Sequence, residues 1–263
     1  MANLQFLFSV LYVLKNNSNT SPMYHLPLTL ETPAANLALD EALLDAAVDG
    51  ELTGEVLRLW EPKQFFVVLG RSSKVAEVHA DACRRDDVAI LRRPSGGATI
   101  LTGPGCLMYA VLLDAERRPE LRNVDRAHEL VLNSIAGALA PFNGGIARHG
   151  TSDLTIPAAR PGDPPIKFSG NSLRLKRHRL LYHGTILYDF SLDRIEAWLA
   201  NPARRPAYRG ERGHRQFVTN LPATRSALEV ALATAWNANA PLPDWPRERT
   251  EELAASRYAT VEW

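Results

Sequence analysis

The stretch VAILRRPSGGATILTGPGCLMYAVLL, residues 88–113, places two glycine-rich turns between three apolar runs. Its Val, Ile and Leu content predicts strand, glycine turn, short strand, glycine turn and strand. Adjacent glycines let a backbone approach a ligand closely, and the paired Arg92 and Arg93 supply forked donors for a carboxylate or phosphate. The stretch therefore predicts an anion-binding loop on a sheet. The alternative is a β-meander whose glycines only form turns and whose arginines are solvated.

Composition limits the class of protein. The chain has 263 residues, of which 46% are hydrophobic, enough for one large domain or a domain with a small appendage. Thirty Lys and Arg against 29 Asp and Glu give a net charge of +1, which argues against a broad nucleic-acid or membrane-binding surface. The two cysteines, Cys83 and Cys106, are too few for a disulfide framework or a metal cluster. We expect a cytoplasmic protein without nucleic-acid or membrane partners.

The ends of the chain differ from its centre. Residues 5–14 are apolar, but they are too short to span a bilayer and lack the preceding basic residue of a signal peptide. We expect residues 1–22 to form an N-terminal extension, with Met23 as an alternative start. Residues 23–240 are expected to form the main domain, and residues 241–263 a short helical tail.

Local patterns predict the main elements. Thr32 and Pro33 predict the start of a helix that ends near Gly50. Runs 55–60 and 65–69 predict a hairpin that closes at Gly70 and Arg71. Residues 75–86 predict one short helix. Side-chain caps of three further helices are predicted at Asp125, Ser191 and Thr224.

A second informative stretch runs from 149 to 190. Residues 167–175 and 181–188 alternate in polarity and predict two antiparallel strands joined by the basic turn 176–179. Lys167, at the start of its strand, is a compact cation suited to bridging a carboxylate and a phosphate, and Asp153 is the nearby carboxylate for Mg²⁺. The alternative is that Lys167 is solvated and Asp153 closes a turn.

Several segments together resemble one family. RRPSGGATILTGPG (92–105) resembles the arginine-arginine-x-serine-glycine-glycine-glycine loop of lipoate–protein ligases. GTSDL (150–154) and KFSGNSLR (167–174) resemble their asparagine-aspartate-leucine and lysine-x-serine-glycine-serine-alanine motifs. Four further segments are similar in the same order: ANLALDEALL, FVVLGR, YHGTILYDFSLDRIEAWLANP and FVTNL. The resemblance covers the chain from Asn36 to about Leu221.

The resemblance implies a fold and a reaction. The fold would be α/β (α+β), of the biotin/lipoate ligase type, with a mixed, largely antiparallel sheet and packed helices. ATP and lipoate would give lipoyl-AMP, with Mg²⁺ as the metal. The lipoyl group would then pass to a lysine of a lipoyl domain or of an acceptor like the glycine-cleavage H protein.

The resemblance also implies roles for single residues. Lys167 would be the catalytic cation, and Asp153 would hold Mg²⁺ or the nucleotide. The remaining positions would bind the lipoyl or adenylate group: Arg71, Arg93, Ser95, Gly96, Gly97, Ala98, Ser169, Gly170 and His183. The chain departs from the family pattern at Pro94, Ala98 and Ser152.

Alternatives stay open at this point. Octanoyltransferases share the fold and the lysine but use a cysteine thiolate, and neither region where they keep it contains cysteine here. We expect Cys106 to be a buried strand residue. A non-catalytic acyl- or adenylate-binding module and biotin ligation are further alternatives.

The C-terminal part of the chain raises separate questions. It is too short for the full accessory domain of larger ligases. A separate subunit supplies that part, the chain performs one half-reaction, or its short helices suffice. The arginine-rich piece 203–215, with Arg204 and Arg205, is a candidate docking segment for an acidic acceptor or else a solvated loop.

Overall fold

The computed structural model describes residues 22–201 and 205–259, so the predicted extension lies outside it except for Pro22. Short 3₁₀ turns occur at Val75–Glu77, Pro119–Arg122 and Ala207–Arg209. The strands and helices, in chain order, are β1 (Met23–Leu26), α1 (Pro33–Val48), β2 (Glu55–Trp60), β3 (Phe66–Leu69), α2 (Ala80–Arg85), β4 (Ala89–Arg92), β5 (Ile100–Thr102), β6 (Cys106–Asp114), α3 (Val124–Leu139), β7 (Ala147–His149), β8 (Asp153–Ile156), β9 (Ile166–Lys176), β10 (Arg179–Leu187), α4 (Asp193–Trp198), α5 (His214–Phe217), α6 (Arg225–Ala235), β11 (Ala240–Pro241) and α7 (Arg247–Ser256).

The strands form two sheets. The main sheet has the order β11-β1-β2-β6-β10-β9-β8-β7, and the small sheet has the order β4-β3-β5. In the main sheet β1 is parallel to β2 and β11, and the other neighbours are antiparallel. In the small sheet β3 is parallel to β4 and antiparallel to β5. The predicted mixed, largely antiparallel α/β fold is confirmed.

The predicted hairpin of residues 55–60 and 65–69 is wrong. β2 pairs with β1 and β6, so both of its edges are taken, and β3 lies instead between β4 and β5 in the small sheet. The meander alternative for residues 88–113 is also wrong, because β4 and β5 flank β3 while β6 belongs to the main sheet. The glycine loop, residues 93–99, therefore connects the two neighbours of β3.

Two of the four predicted helix caps are confirmed, and two are wrong. The side chains of Thr32 and Thr224 accept hydrogen bonds from backbone amides of α1 and α6, as predicted. The predicted cap at Asp125 is wrong, because Asn123 accepts from the amide of Arg126 at 3.1 Å. The cap at Ser191 is wrong too, since α4 has no side-chain cap. The helix predicted over 75–86 is divided into a 3₁₀ turn and α2.

Apolar side chains bury both faces of the main sheet. On one face, α3 and α6 pack through Val131 and Leu228 against strand residues such as Val111. On the other face, Leu39 and Leu43 of α1 pack against strand residues of β2, β6 and β10. The small sheet continues this second layer through its own apolar cluster. Among the helices that the structure describes, none has the length and hydrophobicity needed to span a membrane.

A fully buried ion pair ties α1 to β2. The Arg58 guanidinium lies 2.5 Å from Asp40 Oδ1, and it also donates to the backbone and side-chain oxygens of Asn36 at 2.7 and 2.8 Å. Burial raises the pKa of Asp40, but the Arg58 charge and hydrogen bonds from Arg58 and His183 outweigh it and leave the pKa below its ordinary value. The carboxylate therefore stays charged beside Arg58.

The C-terminal segment packs against β1 and α1. β11 pairs with β1, so the boundary predicted at residue 240 falls within a strand of the main sheet. The Tyr258 hydroxyl donates to Glu41 Oε2 of α1 at 2.8 Å, and Arg257 lies 2.5 Å from Oε1 of the same carboxylate. Arg174 of β9 also lies 3.4 Å from Glu41 Oε1. The segment predicted as a tail thus contacts α1 directly.

Replacing Asp40 with Asn should lower the free energy of unfolding by about 3 to 5 kcal/mol, because the buried Arg58 charge loses its counterion. Since folding lowers the pKa of Asp40, its contribution is present above the unfolded pKa of about 4 and is lost as the pH falls toward the folded value. Urea denaturation at pH 7 measures the loss. Asp81→Asn, at an exposed pair with Arg84, is the control. Equal midpoints for Asp40→Asn and the wild type would contradict the prediction.

Candidate functional site

A β-bulge determines which way Lys167 faces. The pairing of β8 with β9 matches Leu154 with Ser169 but Thr155 with Lys167, so Phe168 is an extra residue between them. Phe168 is fully buried in the core against α3 and α6. Because side chains alternate along a strand, the extra residue places Lys167 and Ser169 on opposite faces.

The Lys167 ammonium lies over a glycine and against a carboxylate. A β carbon on Gly170 would lie 2.8 Å from Lys167 Nζ, so the glycine provides the space that the ammonium occupies. Nζ lies 2.6 Å from Asp153 Oδ1, and the two side chains are 24% and 14% exposed. The predicted Lys167, Asp153 and Gly170 are therefore brought together on one face of β9.

Tyr208 is a third member of this group, and it was not predicted from the sequence. Its hydroxyl donates to Asp153 Oδ2 at 2.8 Å, and its ring packs against His149 and Phe217 with centroid separations of 5.4 and 5.3 Å. Burial and the Asp153 charge raise the pKa of Tyr208, so the hydroxyl remains a donor. No motif pointed to Tyr208, because a lone tyrosine between arginines has no spacing that indicates chemistry.

The glycine loop lies on the same face of β9. The hydroxyl of Ser172 donates to the Gly96 carbonyl oxygen at 2.9 Å, and a hydrogen bond of 2.5 Å joins Ser95 Oγ to His183 Nε2. Ser172 and His183 are cross-strand partners in β9 and β10. The Lys167 ammonium lies over Gly170, and the loop contacts Ser172. These two residues are about 7 Å apart on the same face of β9, so the ammonium and the loop are neighbours.

Arg93 lies inside the loop and supports it. Its guanidinium donates to Ser95 Oγ at 3.1 Å and to the carbonyl oxygens of Gly96 and Ala98 at 2.6 and 2.9 Å. Burial lowers the pKa of Arg93 to about 10, against the opposing effect of the Glu77 charge. The loop carbonyls thus point toward Arg93. Within the described residues, the amide N–H groups of Gly96 and Gly97 form no hydrogen bond, so they are available to an anion.

Two further arginines lie near the loop, and Arg92 is hydrogen-bonded to the backbone while Arg71 is exposed. Arg92 donates to the carbonyl oxygens of Gly70 at 2.9 Å and Ser73 at 2.9 Å, so it shapes the adjacent turn. A β carbon on Gly70 would clash with the carbonyl oxygen of Gly97, so only glycine fits where the turn and the loop touch. The exposed Arg71 side chain forms no ion pair within residues 22–201 and 205–259, which leaves it available for its predicted phosphate contact.

The core ion pair extends to the loop through His183. His183 Nδ1 lies 3.6 Å from Asp40 Oδ2, and its Nε2 contacts Ser95 in the loop. Arg58 and His183 both pair with Ala110 of β6 from opposite sides, so they lie in one row across the sheet. The position of Ser95 is therefore set by α1 and the sheet together.

Ser169 is not brought to the site. It is buried, and its hydroxyl donates to Asn171 Oδ1 at 3.2 Å. Asn171 also donates to the Ser152 carbonyl oxygen at 2.7 Å and accepts from Tyr109, which belongs to the core against α3 and α6. The predicted contact of Ser169 with the acyl or phosphate group is not supported by this placement, because the bulge at Phe168 turns Ser169 to the other face.

Residues 205–217 cover the Lys167–Asp153 pair. Arg212 donates to the carbonyl oxygens of Pro165 at 3.1 Å and Tyr208 at 2.7 Å, and the Thr219 amide donates to the Lys167 carbonyl oxygen at 2.8 Å. Arg205 lies 3.3 Å from Glu211. Arg204 lies outside the described residues. Arg205 and Arg212 thus contact residues of this segment itself, and docking of an acidic acceptor stays a prediction.

Both cysteines are unsuited to nucleophilic chemistry. Cys106 is fully buried in β6, and burial raises its pKa to about 12. Burial also raises the pKa of Cys83. A thiol with so high a pKa is protonated at neutral pH, whereas the thiolate is the nucleophile. The prediction that Cys106 is a buried strand residue is confirmed.

A metal site made by protein ligands alone is not found. Among residues 22–201 and 205–259, no three His, Cys, Asp or Glu side chains are placed to hold one ion. Asp153 offers a single carboxylate whose two oxygens already contact Lys167 and Tyr208. Such a site fits Mg²⁺ only when substrate phosphates supply further oxygen ligands.

The sequence matches the model of a known protein family. The model of the lipoyl protein ligase A/B catalytic domain matches residues 32–233. A probable lipoate-protein ligase A of Mycoplasma genitalium is 28% identical over 180 residues, covering 68% of this chain and 48% of that protein. The octanoyltransferase LipM of Geobacillus kaustophilus is 26% identical, covering 88% of this chain and 93% of that protein. The chain spans about half the length of the ligase relative.

Solved structures share the fold. A bipartite lipoate protein ligase of Thermoplasma acidophilum, described with its E2 lipoyl domain, has a TM-score of 0.75 and 19% identity, covering 93% of this chain and 96% of that one. A T. acidophilum structure with bound lipoic acid and a lipoate-protein ligase A with bound ATP both have TM-scores of 0.71, at 17% and 18% identity, and cover 92% of this chain and 98% of theirs. At these identities the likeness shows the fold alone.

Replacing Gly170 with Ala should move the Lys167 ammonium off its site without unfolding the protein. The new β carbon would meet the flexible end of the lysine rather than backbone. We expect the unfolding midpoint to change little and the labelling of Lys167 by an amine-reactive ester, measured by mass spectrometry, to increase severalfold. Gly144→Ala, with no atom within 4 Å, is the control. Unchanged Lys167 labelling in Gly170→Ala would contradict the placement.

Proposed function

We propose that this chain, which belongs to the lipoyl protein ligase A/B catalytic-domain family, activates lipoate with ATP and transfers the lipoyl group to a lysine of a lipoyl domain. The observation that carries the proposal is the placement of the Lys167–Asp153 pair and the glycine loop on one face of β9. A cation and free amide donors are thus adjacent where two anions would have to meet.

The chemistry needs such an arrangement. A lipoate carboxylate oxygen attacks the α-phosphorus of ATP, the bond to the pyrophosphate oxygen breaks, and lipoyl-AMP and pyrophosphate result. Two anions repel as they approach, and a positioned ammonium with backbone N–H donors offsets that repulsion. Lys167 has three N–H donors, so it can hold Asp153 with one and substrate oxygens with the others. Gly96 and Gly97 offer their amides to the acyl or phosphate oxygens.

The second step transfers the acyl group. The acceptor lysine amine attacks the lipoyl carbonyl carbon, the bond to AMP breaks, and the amine loses a proton. We propose that Lys167 also stabilises the negative charge on the carbonyl oxygen and on the departing AMP. His183, fixed between Asp40 and Ser95, would hold the loop in place during both steps.

Mg²⁺ is proposed at Asp153 together with nucleotide phosphates, where it would neutralise phosphate charge. Asp153 Oδ1 contacts Lys167, and the Tyr208 hydroxyl donates a hydrogen bond to Oδ2. The protein groups would therefore orient Asp153 before nucleotide arrives.

Relatives support the substrates and the partner. Structures of this fold are described with lipoic acid and with ATP, and one ligase is described as bipartite with its E2 lipoyl domain. Because one structure of this fold is described as a bipartite ligase, we propose a separate accessory subunit as a second partner. An acceptor like the glycine-cleavage H protein remains an alternative to the lipoyl domain.

Octanoyl transfer is the second candidate. It is favoured by the octanoyltransferase relative, which the chain matches along 93% of its length. The burial and high pKa of Cys106 disfavour it, because the transfer that such enzymes perform passes through a thiolate. The ligase proposal is therefore preferred over this transferase, and the pyrophosphate-release assay below distinguishes it from a non-catalytic binding module.

Lipoate-dependent release of pyrophosphate from ATP and Mg²⁺ tests the proposal. Lys167→Ala should lower the rate about 10² to 10³-fold, because it removes the positioned cation. Lys63→Ala, at an exposed pair with Glu31, should retain the wild-type rate. No release by the wild-type protein, with octanoyl transfer from octanoyl carrier protein instead, would establish the transferase; both assays are repeated with any accessory subunit that copurifies.

Replacing Cys106 with Ala should leave the activity unchanged, because a buried thiol with a pKa of about 12 takes no part in either step. The measurement is the same pyrophosphate assay, with circular dichroism as the check on folding. A folded but inactive Cys106→Ala variant would favour a thiol-dependent acyl transfer.

A further inference from the structure

Arg209 carries a buried amino group without a partner. The residue is 4% exposed, and its Nη2 has no hydrogen-bond acceptor within the described residues. Its Nε donates to the Arg212 carbonyl oxygen at 3.0 Å, and its guanidinium lies 4.7 Å from the centre of the Phe217 ring. Buried charged donors are costly when unpaired, so a group of this kind needs an explanation.

The same ring has three cations around it. Lys167 Nζ lies 6.0 Å from the centre of the Phe217 ring, and the guanidinium of Arg212 lies 5.4 Å from it. The Lys167 ammonium contacts Asp153, and the charge of the same carboxylate acts on Arg209. Burial and the charges of Arg205 and Arg212 lower the pKa of Arg209, as expected where positive charge is in excess. An additional anion would compensate this excess.

Hydrogen bonds with Arg212 hold Arg209 in a fixed position before any ligand binds. Arg212 Nε donates to the Arg209 carbonyl oxygen at 3.1 Å, which reciprocates the bond from Arg209 to Arg212. The remaining donors of Arg212 are directed to carbonyl oxygens of Pro164, Pro165 and Tyr208, so Arg212 fixes the segment. The Arg209 guanidinium is thus held against the Phe217 ring, which Lys167 also contacts, and its Nη2 has no acceptor within the described residues. Such preorganisation lowers the entropy cost of binding.

We propose that Arg209 binds the phosphate chain of the nucleotide, and that Lys167, Arg209 and Phe217 together form a polyphosphate site. The proposal rests on the proposed function, which it deepens by assigning a residue to the leaving pyrophosphate. A polyphosphate carries several charged oxygens within a few ångströms, so it can contact Lys167 and Arg209 at once. A carboxylate of an acceptor brings a single charge, so it would pair with one of these two cations and leave the other unpaired.

Binding of inorganic pyrophosphate in the presence of Mg²⁺, measured by calorimetry on the full chain, tests the site without relying on catalysis. Arg209→Gln should weaken the affinity at least tenfold, as expected for a lost charge-assisted hydrogen bond. Arg215→Gln is the matched control, because Arg215 is exposed and pairs with Asp193 at 2.9 Å. In the pyrophosphate-release assay, Arg209→Gln should raise KM for ATP and leave KM for lipoate unchanged.

The outcomes separate this proposal from the proposed function. Wild-type affinity in Arg209→Gln, or no pyrophosphate binding by the wild-type protein, overturns the polyphosphate site and leaves the ligase proposal standing. Arg209-dependent pyrophosphate binding without lipoate-dependent release supports the site and overturns the ligase. A variant that keeps KM for ATP but fails only in acceptor modification assigns Arg209 to the acceptor and overturns the site.

A second variant covers a folding defect. Should Arg209→Gln fail to fold, Arg209→Lys is measured, because it keeps the charge against Phe217 and loses the forked donor. At least a threefold loss of pyrophosphate affinity is expected for Arg209→Lys, with unchanged affinity for Arg215→Gln. Wild-type affinity in a folded Arg209→Lys overturns the proposal.

Discussion

A buried guanidinium needs a counterion, and Arg58 of β2 takes its counterion from α1. That one pair fixes the register between the helix and the main sheet, because Asp40 has a single position from which it also reaches His183. His183 in turn holds Ser95, so the geometry of the glycine loop depends on an ion pair in the core rather than on the loop itself. The site is therefore coupled to a buried ion pair between α1 and the main sheet.

The loop shows how one arginine decides the polarity of a binding surface. Arg93 binds the carbonyl oxygens of Gly96 and Ala98, so the backbone acceptors face inward and the amide donors face outward. The sequence analysis assigned Arg93 to the ligand because a forked donor beside glycines suits an anion. The same chemistry is satisfied by carbonyl oxygens of the chain, and local sequence does not distinguish the two. In the proposed site, the backbone that Arg93 orients is what would bind an anion.

Elements with a local cause were predictable, and those set by distant partners were not. The strands around the glycine loop, the basic turn after Lys176 and the caps at Thr32 and Thr224 follow from nearby residues. The partner of β2 does not, because it depends on which edges β1 and β6 leave free. Within the site, Lys167 was predicted from its place at the start of a strand and Asp153 as the nearby carboxylate, and the two are in contact. Tyr208 was missed because only the folded segment after α4 brings it to Asp153.

The bulge at Phe168 decides which face of the sheet Lys167 lies on. In a regular strand Lys167 would lie on the same face as Ser169, toward the apolar core against α3 and α6. The extra residue shifts the alternation by one, so the lysine lies with Gly170 while Phe168 and Ser169 are both buried. Deleting Phe168 would leave Lys167 opposite Thr155 and on its present face, but the core would lose an aromatic ring. One inserted residue thus gives the core a large side chain without turning the cation away from Asp153 and the glycine loop.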